Sequence, residues 1–470
     1  MANSASVELA DARILIRDDP EGAARLLVSL VAAVAELTER VARLEGRSSQ
    51  NTHLPPSMDP PGAPPRPVRP VSGRRRGGQP GHPGHTRELV ADPDSVVVHR
   101  PARCRGCRRR LVAADLSLGE RRQVWEIPAA RAVVVEHQLV DGHCQRCGVT
   151  TRATLPVGTP QGAFGANLEA AVTRLVAVDR LSHRAVCRIL RDLHGVRLSA
   201  GTITRILTRA ADALTETVTA IDSEIRRSPV LHVDETGWRV AGKRHWLWCA
   251  STRSLIRIQV SASRGQEACK HLIGPSPPGI IVSDRWAGYN HLPNSRRQAC
   301  LSHVVRDCRA VSQCPGERAV IGTRLLAHLA VVFEHWHTHQ HDATRDALAA
   351  ALAPTINAFT NDLKALQATG PNPQASFATN LLNLGSALWT FTTTLHVDPT
   401  NNHAERSLRP LVIHRKTSYG NQTDHGRHVY ETIQTVVQTL ALRRDNINDR
   451  LRDAVTAANH NTPLNLIATP

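Results

Sequence analysis

Two aspartates lie where the chain could present a reactive carboxylate. Asp234 ends the apolar segment PVLHVD and Asp284 ends the apolar segment GIIVSD, and both segments are predicted to be β-strands. Open α/β sheets bind ligands beyond the carboxyl ends of their strands, so the pair is expected at one edge of a sheet. A single aspartate in such a position is more often a turn or capping residue.

A third acid, Glu405, is the only acidic residue in the basic segment 400–420. It could form a helical ion pair with Arg409, four residues on. Alternatively, it joins the two aspartates in holding two Mg²⁺ or Mn²⁺ ions, which need several oxygen ligands. Two such ions about 3.5–4 Å apart activate the attacking oxygen and stabilise the leaving oxygen of an in-line displacement. Four basic neighbours would then contact phosphates: Arg406, Arg409, Arg415 and Lys416.

The elements that carry these acids are predicted to form a ribonuclease-H-like α/β core. Segment 227–315 should contain three strands, a helix, a strand, a brief helical piece, a strand and a helix. Segment 316–397 is almost wholly helical in pattern and is interpreted as an insertion in this core. Segment 398–470 would bring Glu405 back to the sheet and close the core with helices.

Four cysteines in two equally spaced pairs predict a zinc-ribbon module over 91–158. The pairs are Cys104 with Cys107 and Cys144 with Cys147, and segments RQVWEIP and AVVVEHQLV between them resemble two strands. Each Cys-x-x-Cys pair can supply half of a tetrahedral site, so one structural Zn²⁺ is expected on four thiolates. Four unrelated thiols would not require the shared spacing.

Segment 164–226 is predicted to be a helix-turn-helix DNA-binding region. Two helical patterns flank a break at residues 194–199, and Ser199 can cap the second helix. The start of that helix displays Thr202, Thr204 and Arg205, which would enter the major groove of DNA. Many helical pairs share this pattern, so the interpretation depends on the neighbouring segments.

The N-terminal part contains a helical segment and a linker. Segment 1–46 carries an apolar seam at alternating steps of three and four, which fits a dimerising coiled coil or an ordinary amphipathic helix. The seam consists of Leu27, Leu30, Val34, Leu37, Val41 and Leu44. Segment 47–90 is rich in Pro, Gly and Arg and is predicted to be a basic linker that orders on DNA.

Composition favours a nucleic-acid partner. The formal net charge is +17 and the pI is about 10.4, as expected for a protein that binds double-stranded DNA. The sequence has no run of 18 apolar residues and no basic, apolar leader at its start. A cytoplasmic, nucleoid-associated protein is therefore expected, in which the ten cysteines are metal ligands or reduced thiols.

Several sequence blocks together resemble the insertion sequence sixty-six family of DDE transposases. In order they read SSQNTHLPPS, RRRGGQPGH, HVDETGWRV, SDRWAGY, CLSHVVRD and NNHAERSLRPLVIHRK. The resemblance gives Asp234, Asp284 and Glu405 the three catalytic acidic positions and the four paired cysteines the zinc positions. One departure is the Asp-Arg-Trp block, where the family usually has Asp-Gly-Tyr.

The resemblance implies a cut-and-paste or related transposase that cleaves element ends and joins them to target DNA. A homodimer or higher oligomer on DNA and small accessory proteins of the element are the implied partners. Two alternatives are a repressor or architectural protein derived from a transposase and a nuclease of the same fold without strand transfer. The complete set of acids argues against a pure DNA-binding protein.

Three other residues near these acids have expected roles. Cys300 and His303 could coordinate a metal, but two ligands alone make a poor site, so a packed thiol and a DNA-facing imidazole are expected. Trp286, two residues after Asp284, is placed to touch an unstacked base.

Overall fold

The computed structural model describes residues 17–45, 81, 87–160, 162–462 and 464–468, so most of the predicted linker at 47–90 lies outside it. The predicted N-terminal helix is present as α1 (Pro20–Glu45). Leu27, Leu30 and Val34 of its apolar seam are exposed, whereas the side chains of Leu37, Val41 and Leu44 lie outside the described part. Among the described helices, none is both long enough and apolar enough to cross a membrane.

The cysteine-rich module has less regular structure than predicted. Strand β1 (Asp141–His143) pairs antiparallel with β2 (Thr150–Arg152), and the second cysteine pair lies in the turn between them. The strands predicted at 122–128 and 132–140 are wrong, because neither segment forms a β-strand and their apolar side chains are exposed, as Val124 is at 84%. β-Branched alternation favours a strand only where one face can be buried, and these segments bury neither face.

Four helices follow the cysteine-rich module. They are α2 (Ala166–Ala177), α3 (His183–His194), α4 (Ala200–Ala213) and α5 (Thr215–Arg227). The α3–α4 pair has the predicted break, because Gly195 ends α3 in the left-handed region with φ 74°. The Ser199 hydroxyl accepts a hydrogen bond from the Thr202 N–H at 3.1 Å and caps α4. The groove-reading role of this pair stays a prediction.

A five-stranded mixed sheet forms the centre of the molecule. Its strands are β3 (Val230–Val240), β4 (Lys243–Ser251), β5 (Ile256–Ser261), β6 (Ile280–Ser283) and β7 (Arg297–Ala299). Their spatial order is β5-β4-β3-β6-β7, with β3, β4 and β5 antiparallel. Strand β6 runs parallel to β3, and β7 runs parallel to β6. The predicted number and chain order of the strands are confirmed.

Strand β3 is longer than its apolar segment predicts. The expected end at Asp234 is wrong, because the strand continues to Val240 and turns through Ala241 and Gly242, with φ 48° and 74°. Such two-residue turns match the twist of a hairpin. The parallel pairing with β6 nevertheless stops at His232, so Asp234 still lies beyond the parallel part of the strand.

Helices cover both faces of the sheet. Helix α6 (Gln266–Ile273) follows β5, and α7 (Leu301–Ser312) follows β7. Helices α8 (Glu317–His339), α9 (Asp346–Gln367) and α10 (Pro373–Leu384) form the predicted helical segment before α11 (Asn402–Ser418). Buried side chains of α7–α10 pack with Val282 of β6 and Ala299 of β7, so this segment shares its core with the sheet.

The C-terminal helices complete the other core. They are α12 (Asp424–Arg443) and α13 (Ile447–Asn459), which pack with α2–α5 and one face of β3 and β4. Helix α12 also hydrogen-bonds to β5 through side chains. Thr439, Thr435 and Glu431 accept the backbone N–H groups of three β5 residues, at 3.0, 3.1 and 2.7 Å: Ile256, Ile258 and Val260.

Candidate active site

The three predicted acids come from three separate elements near one end of the sheet, although their carboxylate oxygens do not all lie within 4.8 Å of one another. Asp234 lies in β3, Asp284 directly follows β6, and Glu405 lies in the first turn of α11. Burial raises the pKa of Asp234 well above its usual range, and the negative charges of Glu235, Asp284 and Glu405 raise it further. Asp234 and Glu405 both respond to the charge of Asp284, so the fold brings the three acids close enough to interact electrostatically.

Glu405 experiences charges of both signs. The residue reaches the surface, yet packed neighbours around its carboxylate raise its pKa by desolvation. Arg306 and Arg409 lower that pKa, whereas Asp284 raises it. No ion pair joins Glu405 to Arg409 in the part of the chain that the structure describes, so the simple helical pair is not the arrangement found. Arg306, on α7, was missed because its segment shows no pairing signal in the sequence.

Asn401 positions the first turn of α11 against β3 and is another residue that the sequence alone does not single out. It is buried, and its Nδ2 donates to the Val233 carbonyl oxygen at 2.8 Å. Its Oδ1 lies 3.3 Å from His232 Nδ1, and its backbone N–H donates to Cys300 Sγ at 3.2 Å. The backbone N–H of Glu405 in turn donates to the Asn401 carbonyl at 3.2 Å, which sets the acid beside β3.

Asp284 is held by its own turn. Its Oδ1 accepts the backbone N–H of Trp286 at 2.8 Å, and the preceding Ser283 carbonyl accepts the N–H of Cys300 at 2.8 Å. These bonds fix the ends of β6 and β7 side by side. The carboxylate therefore stays at the carboxyl end of the parallel strands, as predicted.

A fourth acid, Glu235, lies on the opposite face of β3 from Asp234. Arg264 Nε donates to Glu235 Oε1 at 2.7 Å, and the Tyr289 hydroxyl donates to Oε2 at 2.7 Å. Burial raises the pKa of Glu235 and the charge of Asp284 raises it further, while Tyr289 and Arg264 lower it. The alternation of side chains along a strand predicts that Glu235 lies on the face opposite Asp234, because adjacent residues face opposite sides of the sheet.

Arg264 also connects this network to the tryptophan beside Asp284. Its guanidinium lies 3.9 Å from the ring centroid of Trp286 and 4.8 Å from that of Trp246. Trp286 Nε1 donates to the Arg264 carbonyl at 3.1 Å, and the residue is 39% exposed. One face of this ring is thus occupied by a cation, and the expected base contact stays a prediction.

The predicted phosphate-contacting residues of α11 divide into two groups. Arg406, Arg409 and Lys416 are exposed and reach solvent. Arg415 is half-buried, and its Nη1 donates to the Thr236 hydroxyl at 3.0 Å and to the Gly237 carbonyl. Arg415 therefore braces α11 against β3. On α4, Thr204 and Arg205 are exposed, whereas Thr202 is half-buried against the capping serine.

Each cysteine pair forms a local knuckle. The backbone N–H groups of Cys107 and Gly106 lower the pKa of Cys104, and those of Cys147 and Arg146 lower the pKa of Cys144. Amides directed at the first sulfur of a pair suit a thiolate ligand. Within the described residues no three of these sulfur atoms lie within 4.8 Å of one another, so the chain alone does not gather the predicted four-thiolate site.

A different group of possible metal ligands is gathered beside the acids. Sγ of Cys300, a ring nitrogen of His303 and a carboxylate oxygen of Glu405 all lie within 4.8 Å of one another. Cys300 is buried, as the expected packed thiol, and Glu405 of α11 adds a third possible ligand to Cys300 and His303. The sequence gives no sign of this, since Glu405 lies about a hundred residues further along the chain.

Comparison with known families identifies two families that match parts of the chain. The model of the Transposase IS66 family matches residues 161–429, more than half of the chain, including all three predicted acids. A family of unknown function, DUF6444, matches residues 5–88, which cover α1 and the predicted linker up to residue 88. No curated protein matches the chain. On the evidence of the match across its central sheet and site, the chain belongs to the Transposase IS66 family.

Proposed function

We propose that the protein is a DDE transposase that binds the ends of its element, cleaves them and joins them to target DNA. Asp234, Asp284 and Glu405 hold two Mg²⁺ or Mn²⁺ ions in a ribonuclease-H-like core. One observation supports the proposal: carboxylates from three distant segments lie near enough to interact, since Asp284 raises the pKa of both other acids. Membership of a transposase family supports a DNA substrate.

The residues fit the divalent ions. Three carboxylates offer hard oxygen ligands, and their mutual repulsion leaves the metal-free site electrostatically strained. When bound, the ions polarise the attacking and leaving oxygens of phosphoryl transfer. The charge of Arg306 supports the ionised form of Glu405, and Asn401 holds that acid in register with β3.

Other residues position DNA around the acids. Exposed Arg406, Arg409 and Lys416 extend along α11 from Glu405 and neutralise phosphates that approach the acidic site. The N-terminal turn of α4, with Arg205 exposed, reads the major groove of the element end. Cys104, Cys107, Cys144 and Cys147 would together hold one Zn²⁺ ion, and binding of that ion would order the cysteine-rich module.

The experiment is a joining assay with the purified chain, DNA carrying the inverted repeats that flank its gene, target DNA and Mg²⁺. Joined products support the transposase, whereas nicked ends alone would indicate a nuclease and binding alone a repressor. Asp234→Asn is the matched control, because it keeps the side-chain shape and removes the charge. Joining by this variant at the parental rate would refute the assignment of the site.

A further inference from the structure

The cluster of Cys300, His303 and Glu405 contains a thiol, an imidazole and a carboxylate within 4.8 Å of one another. We propose that this cluster is a site for a thiophilic divalent ion of the Zn²⁺ class, separate from the three-carboxylate site and sharing only Glu405 with it. Binding of this ion uses the Glu405 carboxylate, so the ion and the proposed pair of Mg²⁺ ions cannot be bound at the same time.

The backbone sets two of the three ligands in place. Cys300 lies between β7 and α7, and its N–H donates to the Ser283 carbonyl at 2.8 Å. The next residue, Leu301, donates from its N–H to the Pro399 carbonyl at 2.8 Å. His303 lies in the first turn of α7, and its backbone N–H donates to the Cys300 carbonyl at 3.2 Å, which holds the two residues close together.

The third ligand is brought by α11. The Asn401 N–H donates to Cys300 Sγ at 3.2 Å, which ties the start of α11 to the thiol. Glu405 lies one helical turn further and reaches the surface, whereas Cys300 is fully buried. An ion would therefore enter past the carboxylate and reach the thiol at the base of the site.

The ligand types select the metal. Thiolate and imidazole favour Zn²⁺ and Co²⁺, whereas Mg²⁺ takes oxygen ligands. Tetrahedral Zn²⁺ bonds imply ligand–ligand separations of about 3.5 Å, so closing the cluster needs side-chain movements of roughly 1 Å. Three protein ligands leave one coordination position for solvent or a phosphate oxygen.

The buried thiol also lies at a helix terminus. Cys300 directly precedes α7; burial raises the pKa of its thiol, and the backbone N–H groups of Asn401 and His303 lower it only in part, so a bound metal ion would supply the remaining stabilisation of the thiolate. Cys308 lies on the same helix and is equally buried, but it is not part of the cluster. Cys308 therefore offers a matched control for thiol chemistry at this helix.

Cobalt binding tests the site without any assay of DNA chemistry. The full chain with Ser at Cys104, Cys107, Cys144 and Cys147 is titrated with Co²⁺, and the thiolate-to-cobalt charge-transfer band is recorded. One equivalent should bind with this band, which Cys300→Ser should abolish and Cys308→Ser should retain. His303→Gln should weaken binding at least tenfold. Circular dichroism of each variant checks that it is folded.

Two results would overturn the proposal: no thiolate band at saturating Co²⁺, or an unchanged band in both Cys300→Ser and His303→Gln. If the four-serine background fails to fold, Cys300→Ser and Cys308→Ser are instead made in the parent chain and loaded with Zn²⁺. Elemental analysis then measures the number of Zn²⁺ ions per chain. Cys300→Ser should then hold one Zn²⁺ fewer than Cys308→Ser, and equal contents would refute the site.

The competition with magnesium rests on the proposed function and has its own test. Zn²⁺ should inhibit Mg²⁺-dependent joining by the parent chain. The fraction of joining activity that Zn²⁺ removes should be smaller in Cys300→Ser than in Cys308→Ser. Equal fractional losses would refute the exclusion. Absence of joining in the parent with Mg²⁺ alone would count against the transposase proposal, while the cobalt result would still decide the metal site.

Discussion

Asn401 Nδ2 donates a hydrogen bond to the carbonyl oxygen of Val233, across 2.8 Å and 168 positions of sequence. Val233 precedes Asp234, and Asn401 precedes the helix that carries Glu405, so one buried bond aligns two of the acids. The same amide side chain contacts His232. The register between β3 and α11 therefore depends strongly on one side chain.

Replacing Asn401 with Ala should weaken both the fold and the site. The change leaves the buried Val233 carbonyl without its donor, which typically costs about 1–3 kcal/mol. Denaturant unfolding measures this loss, and the joining rate should fall further because Glu405 is no longer aligned. Asn402→Ala is the control, since Asn402 is exposed one residue away. Equal effects of the two substitutions would contradict the role of Asn401.

Glu405→Gln should abolish chemistry while leaving DNA binding intact. The amide keeps the size of the side chain but loses the charge that attracts a cation, so joining should fall by orders of magnitude. DNA affinity should persist or increase, because a negative charge has left a surface that faces phosphates. Glu334→Gln, an exposed position on α8, should change neither property. Substantial joining by Glu405→Gln in Mg²⁺ would mean that the carboxylate is only structural.

The metal-free protein should lose stability as the pH rises toward neutral. The folded-state pKa of Asp234 is raised above its unfolded value of about 4, so its contribution is fully present below that pH. It is lost as the pH rises through the folded pKa, because ionisation then costs more in the folded chain. Unfolding free energy measured against pH should show a smaller decline in Asp234→Asn. Mg²⁺ should restore stability at neutral pH in the parent, and an identical profile for both chains would contradict the coupling.

Removal of zinc ligands should affect the cysteine-rich module first. Elemental analysis should find one more Zn²⁺ in the parent than in a chain with Cys104→Ser and Cys107→Ser, because each knuckle supplies half of the site. Limited proteolysis should then cut within residues 91–158. Cys187→Ser, outside both pairs, should retain the metal. Full zinc retention by the double variant would refute the four-thiolate prediction.

Arg205→Ala should reduce the preference for element ends more than the affinity for random DNA. Base-reading contacts determine sequence preference, whereas phosphate contacts affect all sequences alike. Arg188→Ala removes the same charge from the exposed surface of α3 and should weaken both affinities equally. Binding titrations with both DNAs at fixed salt make the comparison. Equal losses for Arg205→Ala would assign this side chain to phosphate contact.

The sequence predicts those features that depend on local patterns. The number and chain order of the strands follow from apolar runs, and Asp284 directly follows β6 as predicted, whereas β3 continues past Asp234. The contributions of Asn401 and Arg306 depend on contacts between distant segments, which hydrophobic periodicity does not encode. The strand prediction for segment 132–140 was wrong for a different reason. Its β-branched residues favour a strand locally, but neither face of the segment is buried.

The hydrogen bonds from β5 to α12 also restrict how copies of the chain can assemble. An outer strand normally leaves N–H groups that recruit strands from other chains. Here Thr439, Thr435 and Glu431 already occupy those of β5, so the sheet cannot grow from that side. A chain shortened before Asp424 would expose the open strand and become prone to aggregation.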